Sequence, residues 1–329
     1  MFFQTLAIAC GAGLASALLF VVAAKGTMLA ALLAAFAPLP VMIAALSWTH
    51  WAGLLAVATG GFAISLALPA PLALVFAVGL AGPAWALARL ALLADPPLEA
   101  EDVPPDAPRL WYPVARLAVW AAAAGIFVAT GWAALLMWST GSGLDFDAAV
   151  GVVARRLAPG LEALIGRGGL AQGVSALTFA EALLRALPPA AAASTTAMML
   201  ANLWVAGRIV ELSGRMARPR AAVAFELTLP RAMLAALAGG LVVAFLGGLP
   251  GTLGWIVAAA AGAVFVLQGL ATIHVLTRDW SQRRTALLAL YLVVVFFAWS
   301  LAVIGLIGVA DSLFGLRARS LSQSPPTGT

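Results

Sequence analysis

Leu253-Gly-Trp-Ile-Val-Ala-Ala-Ala-Ala-Gly-Ala-Val-Phe-Val-Leu-Gln-Gly-Leu-Ala-Thr-Ile-His274 runs from end to end without an Asp, Glu, Lys or Arg. Wound as a helix, roughly 20 such residues cross a hydrocarbon core about 30 Å thick. The rest of the chain follows the same rule. Only 9% of its residues are charged and 64% are hydrophobic. A water-facing surface carries about 25–35% charged residues, so water is not the main solvent of this chain.

Working outward, we read eight further stretches of this kind: Phe3–Ala24, Thr27–Leu46, Trp51–Leu68, Leu72–Leu93, Val114–Trp138, Ala190–Ile209, Met233–Leu249 and Thr285–Val309. Long runs of Ala, Leu, Val and Gly predict helices, whereas a barrel would show alternating segments of about ten residues. The expected fold is all-α, a polytopic bundle of eight to nine spans forming one integral membrane domain over residues 1–329. The 32 glycines suit close helix contacts in a bilayer.

The formal charge of +5 does not indicate a nucleic-acid surface, because the arginines flank the spans and fix orientation. The lipid bilayer is the expected partner. Cys10 is the sole cysteine, which excludes an intrachain disulfide. No Lys or Arg precedes it, so the N-terminus is expected to be a first span rather than a cleaved signal.

Pro38, Pro40, Pro69, Pro71 and Pro83 interrupt or end the early helices, because proline removes a backbone donor. Such breaks survive in a bilayer only against protein or water. They fit either plain kinks or an unwound half-helix lining a site. Residues 95–113 form an acidic, proline-rich loop, with Asp95, Glu99, Glu101, Asp102 and Asp106. It has no calcium-loop pattern and ends on the interfacial pair Trp111 and Tyr112.

Residues 141–189 form an amphipathic segment. Phe146, Val150, Val153 and Leu157 recur at helical spacing with Asp147 and Arg155 off the stripe. Leu177, Leu184 and Leu187 mark a second stretch, with Glu181 and Arg185 placed to pair. Two helices lying on the membrane are expected here. A cap over a cavity mouth and a partner-docking surface are the alternatives. Residues 317–329 are expected to be a disordered tail.

Arg215, Arg218, Arg220 and Arg231, and then Arg278, Arg283 and Arg284, mark two loops as cytoplasmic by the positive-inside rule. Alternation then makes the N-terminus cytoplasmic and the 141–189 segment extracytoplasmic. Nine spans would leave Arg317 and Arg319 outside. Eight would not, if one early hairpin were re-entrant.

Ionisable and polar residues in spans are the functional leads. Trp204, Arg208 and Glu211 share one helical face, so Arg208 is placed to lie over the Trp204 ring and pair with Glu211. Asn202 lies deeper. This group fits an interfacial anchor or the polar wall of a solute cavity. Gln268 and Thr272 stand one turn apart, and His274 lies on another face. His274 suits proton coupling or an ordinary interfacial place. Ala7, Gly11 and Ala15 put small residues at four-residue spacing, a pattern for helix docking. No nucleotide, zinc-protease or nucleophile motif is present, so no catalytic residue, metal or cofactor is expected.

Several pieces in chain order carry a resemblance: Gly11-Ala-Gly-Leu-Ala-Ser-Ala-Leu-Leu-Phe20, Ala37-Pro-Leu-Pro40, Trp111-Tyr-Pro113, Asn202-Leu-Trp204, Arg208-Ile-Val210 and Ser213-Gly-Arg215. The last is Gly308-Val-Ala-Asp-Ser-Leu-Phe314 with Leu316-Arg317. Together they resemble the YybS-like bacterial membrane proteins, domain-of-unknown-function family 2232. That family has no established activity. It is distantly similar to the substrate-binding subunits of energy-coupling-factor vitamin transporters. The resemblance implies a small-molecule solute held among helices and a membrane protein partner docked on small-residue faces, which would give Ala7, Gly11 and Ala15 that role. More spans and the 141–189 insertion set this chain apart. The expectation is a multi-pass protein of the bacterial inner membrane, a transporter-type component without enzyme activity. A non-transporting scaffold is the alternative.

Overall fold

A computed structural model describes residues 2–96, 109–165, 174–219 and 221–322. Among these residues the regular elements are helices and one short strand pair, as expected for a polytopic bundle. The helices are α1 (Phe2–Val22), α2 (Met28–Ala35), α3 (Pro38–Ser47), α4 (His50–Ala67), α5 (Ala70–Leu74) and α6 (Gly82–Ala91). Strands β1 (Ala94–Asp95) and β2 (Leu110–Trp111) pair antiparallel. Then come α7 (Val114–Thr140), α8 (Phe146–Ile165), α9 (Ala176–Leu212), α10 (Val223–Glu226) and α11 (Arg231–Ala244). The chain closes with α12 (Gly248–Leu276), α13 (Arg283–Phe296), α14 (Ser300–Phe314) and α15 (Leu316–Ser322).

Among the described residues six helices are long and apolar enough to cross a membrane, and the bent pair α14–α15 brings the number to seven if it counts as one span. The first five expected stretches and the Leu253–His274 stretch match these helices. The other three differ for visible reasons. The sixth lies inside α9, where Ser194, Thr195, Thr196 and Asn202 dilute the apolar run. The seventh becomes α11, whose 14 residues reach only about 21 Å. The ninth is split at Phe297–Trp299 into α13 and α14.

The chain divides into two compact units: residues 1–121 with 197–229, and residues 122–196 with 230–329. In the first unit, α1 crosses α4 at two glycines. A Cβ on Gly13 would strike the Ala56 carbonyl, and one on Gly60 would lie 2.7 Å from the Gly13 carbonyl. A second core gathers Met42, Leu46, Leu87, Leu117, Met199 and Val210. The proline breaks are absorbed locally. Pro83 follows a π-helical stretch, Val75–Ala81, where the Gly82 N–H reaches back to the Ala77 carbonyl. Pro38 starts α3 at a position that needs no donor.

In the second unit, α12 is the central helix. It packs on α11 through Gly254 and Gly240, and on α14 through Gly269 and Gly308. A Cβ on Gly269 would meet the Ile304 carbonyl, and one on Gly308 the Phe265 carbonyl. The 141–189 segment belongs here too. Its first half is α8, as the periodicity predicts. The stripe is not bare, however: Phe146 and Val150 pack with Ala133 and Met137 of α7 and with Ala180 and Leu184 of α9. Protein covers Phe146, Val150 and Val153 on that face, while Leu157 remains exposed. The second stretch is no separate helix, because α9 continues through Pro188 and Pro189. A proline pair deletes two hydrogen bonds, but both flanks pack, with Leu184 in the α8 cluster and the Ala192 carbonyl against Gly125.

The acidic residues Glu99, Glu101, Asp102 and Asp106, and Arg220, lie outside the described residues. The expected disordered tail is corrected at its start: residues 317–322 belong to α15 and Arg317 is buried. Residues 323–329 lie outside the described residues.

Candidate functional site

Among the described residues, the buried charge of the second unit lies where α14 ends. Gly315 takes a left-handed conformation (φ 61°), and α15 leaves at 65° to α14. That bend turns Arg317 back onto Asp311. The Arg317 Nη2 stands 2.7 Å from Asp311 Oδ2, its Nε donates to the same oxygen, and its backbone N–H donates to Oδ1 at 3.0 Å. From α12, the Gln268 amide donates to Asp311 Oδ2 at 2.9 Å and to the Ser312 hydroxyl at 2.8 Å. Asp311 and Arg317 are 5% and 6% exposed, and Gln268 is wholly buried. Every strong acceptor of the carboxylate is therefore met, which is the condition for keeping a charge pair out of water. The glycine contacts at 269 and 308 bring the helices close enough for Gln268 to reach.

Gln268 was legible in the sequence as a polar residue in a span. Thr272 is buried beside it, and its hydroxyl donates to the Gln268 carbonyl at 2.9 Å. His274 lies apart, as its spacing predicts, with Nδ1 2.8 Å from the Leu270 carbonyl and Nε2 3.3 Å from the Tyr291 hydroxyl. Asp311 and Arg317 were missed as a site. The available signal was a lone acid following a long apolar run, Ser300–Ala310, with an arginine six residues on.

The sixth-span candidates belong to the first unit and have separate fates. Asn202 is 3% exposed and sits on the inward face with Ala206 and Val210. Its amide donates to the Ala35 carbonyl at 2.8 Å and to the Met198 carbonyl at 2.9 Å. In a continuous helix Ala35 would receive the Leu39 N–H, but the break before Pro38 turns that N–H to Phe36. Asn202 replaces the lost donor, and the Ser16 hydroxyl donates to the neighbouring Ala37 carbonyl. Arg208 pairs with Glu211 as expected. The expected stacking of Arg208 on Trp204 is not among the described ring contacts, and Trp204 is exposed. Arginines cover other rings instead: Arg215 lies 4.7 Å from Trp48 and Arg89 6.0 Å from Trp85.

Arg218 shows why the basic loop is more than a topology signal. It is buried, and its Nη1 donates to the Ala91 carbonyl at the end of α6. Burial draws its guanidinium below the ordinary range, and Glu226 opposes that shift. It stays protonated all the same. The stripe Ala7, Gly11, Ala15 is the outward face of α1, with nothing within 4 Å of a Cβ on Gly11. Internal packing uses Gly13 instead.

Among the described residues no group of three His, Cys, Asp or Glu could hold a metal ion. A cleft of about 500 Å³ opens in the second unit beside Asp147, Arg185, Gly248, Thr252 and Trp255. Arg185 there pairs with Asp147 at 3.1 Å and with Glu181 at 3.6 Å.

Helices of this length and composition, six of them among the described residues long and apolar enough to cross a membrane, define a multi-pass α-helical membrane protein. The family described as "Predicted membrane protein (DUF2232)" matches residues 111–312, more than half of the chain. The chain belongs to that family. No curated protein and no solved structure matches it.

Proposed function

We propose that this protein is a transport-type membrane component that binds a small charged solute, with the buried centre of the second unit as its polar core. One observation carries the reading. Asp311 and Arg317 are buried at the bend of a broken helix, against α12, which has no Asp, Glu, Lys or Arg. Ionisable groups inside a membrane are costly and mark solute or ion pathways. Transporters place such groups where helices are discontinuous. The open cleft beside Arg185 supports the same role. Binding and movement, without covalent chemistry, is the proposed activity. The proposed site of action is the bacterial inner membrane with a cytoplasmic N-terminus, from the arginine-rich loops.

Native mass spectrometry of the gently purified protein tests this. A stoichiometric small molecule is expected on the wild type and absent from a folded Asp311→Asn variant. A wild-type protein that carries no solute, alone or with only a protein partner bound, would overturn the reading. The second outcome would favour a scaffold, for which the bare Ala7–Gly11 face is the supporting observation.

A further inference from the structure

Helix α13 is unlike the other long helices, because none of its residues is buried. Its first two residues are Arg283 and Arg284, with no acidic residue in the first turn. Neither arginine makes a described ion pair. The nearby carboxylate of Asp279 is taken by Arg278 at 3.0 Å. Cations at a helix start gain nothing from the helix dipole, so these two lack compensation within their own helix. Trp280, 60% exposed, stands just before them, the kind of side chain that settles at headgroup depth.

Below the arginines the same face changes character. Arg284, Leu288, Leu292 and Val295 follow at i, i+4, i+8 and i+11 and form one stripe. The three apolar members are all exposed. From Arg284 to Val295 the helix rises about 16 Å, close to the half-thickness of a hydrocarbon core about 30 Å deep. The tie between His274 and Tyr291 holds α13 beside the end of α12.

We infer that this stripe seats one anionic phospholipid, its phosphate on Arg283 and Arg284 beside Trp280 and an acyl chain along Leu288, Leu292 and Val295. A phospholipid joins an anionic head to an apolar tail one leaflet long, and the stripe presents the complementary order. Orientation by the positive-inside rule needs only the charges. It does not need their alignment with a leaflet-long bare stripe.

The test uses the full-length protein in nonionic detergent, with lipid binding read by native mass spectrometry and thermal stability. Phosphatidylglycerol should bind and stabilise, while phosphatidylcholine with the same chains and inorganic phosphate should not. The double variant Arg283→Gln/Arg284→Gln should bind phosphatidylglycerol roughly thirtyfold more weakly, from about 1 kcal/mol per arginine near an anionic surface. The double variant Arg155→Gln/Arg156→Gln removes the same charge from α8 and should bind as the wild type does. Equal binding of the two lipids by the wild type would overturn the inference without recourse to any variant. So would an equal response to inorganic phosphate, or equal loss in both double variants.

Discussion

The side-chain amide of Asn202 donates a 2.8 Å hydrogen bond to the Ala35 carbonyl, 167 residues earlier in the chain. The carbonyl is free because α2 stops one turn before Pro38. A long-range side chain thus completes a local backbone break, the condition for a broken helix in an apolar setting. Asn202→Leu should therefore lower stability by about 1 kcal/mol, within the range for an unpaired buried carbonyl. Trp204→Ala, on an exposed face of the same helix, should change it by less. Unfolding in mild detergent would compare them, and equal losses would mean that the carbonyl does not depend on Asn202.

The α12–α14 crossing makes a sharper prediction. Gly269→Ala and Gly308→Ala each drive a methyl group into backbone carbonyls of the facing helix. Each should cost about 1–3 kcal/mol, the usual penalty of overpacking. Gly262→Ala, on the same helix, meets nothing within 4 Å and should be neutral. Thermal denaturation of the three variants separates a packing effect from a general dislike of alanine.

Two ion pairs of the second unit should behave oppositely. The side chains of Arg317 and Asp311 are 7% and 4% exposed, whereas those of Arg185 and Asp147 are about half exposed. Arg317→Met strands a buried carboxylate and should cost about 3–5 kcal/mol, with Asp311→Leu added to it restoring much of the loss. Arg185→Met should cost no more than about 1 kcal/mol. A double-mutant cycle measures the first coupling directly, and a coupling near zero would show that the pair is not what holds α15.

On α1, Gly11 and Gly13 are separated by one residue and face different surroundings. Gly13→Ala should destabilise the first unit, because its methyl would strike the Ala56 carbonyl. Gly11→Leu should leave stability unchanged, and it should weaken any complex that uses the outer face of α1. Size-exclusion chromatography of both variants alongside thermal melts reads the two effects separately.

Composition settled the class of this protein and most of its spans. Scarce charge and apolar runs of about 20 residues admit few alternatives to helices in a bilayer, because every backbone polar group must be met within the helix. Six of the nine expected stretches became helices of spanning length. The periodicity of Phe146, Val150 and Val153 likewise fixed α8, and the arginine spacing of Arg208 and Glu211 fixed their pairing.

The tertiary structure decided what those elements do. Periodicity reports which face of α8 is apolar, but not whether lipid or α7 and α9 cover it. Proline content reports a break before Pro38, but not that Asn202 supplies the missing donor. In the sequence Asp311 carries no local pattern, and Arg317 reads as the start of a tail. They became a buried centre because the chain bends by 65° at Gly315 and two glycines let α12 and α14 approach within reach of Gln268. Distances of that kind depend on residues dozens of positions apart, and no local pattern encodes them.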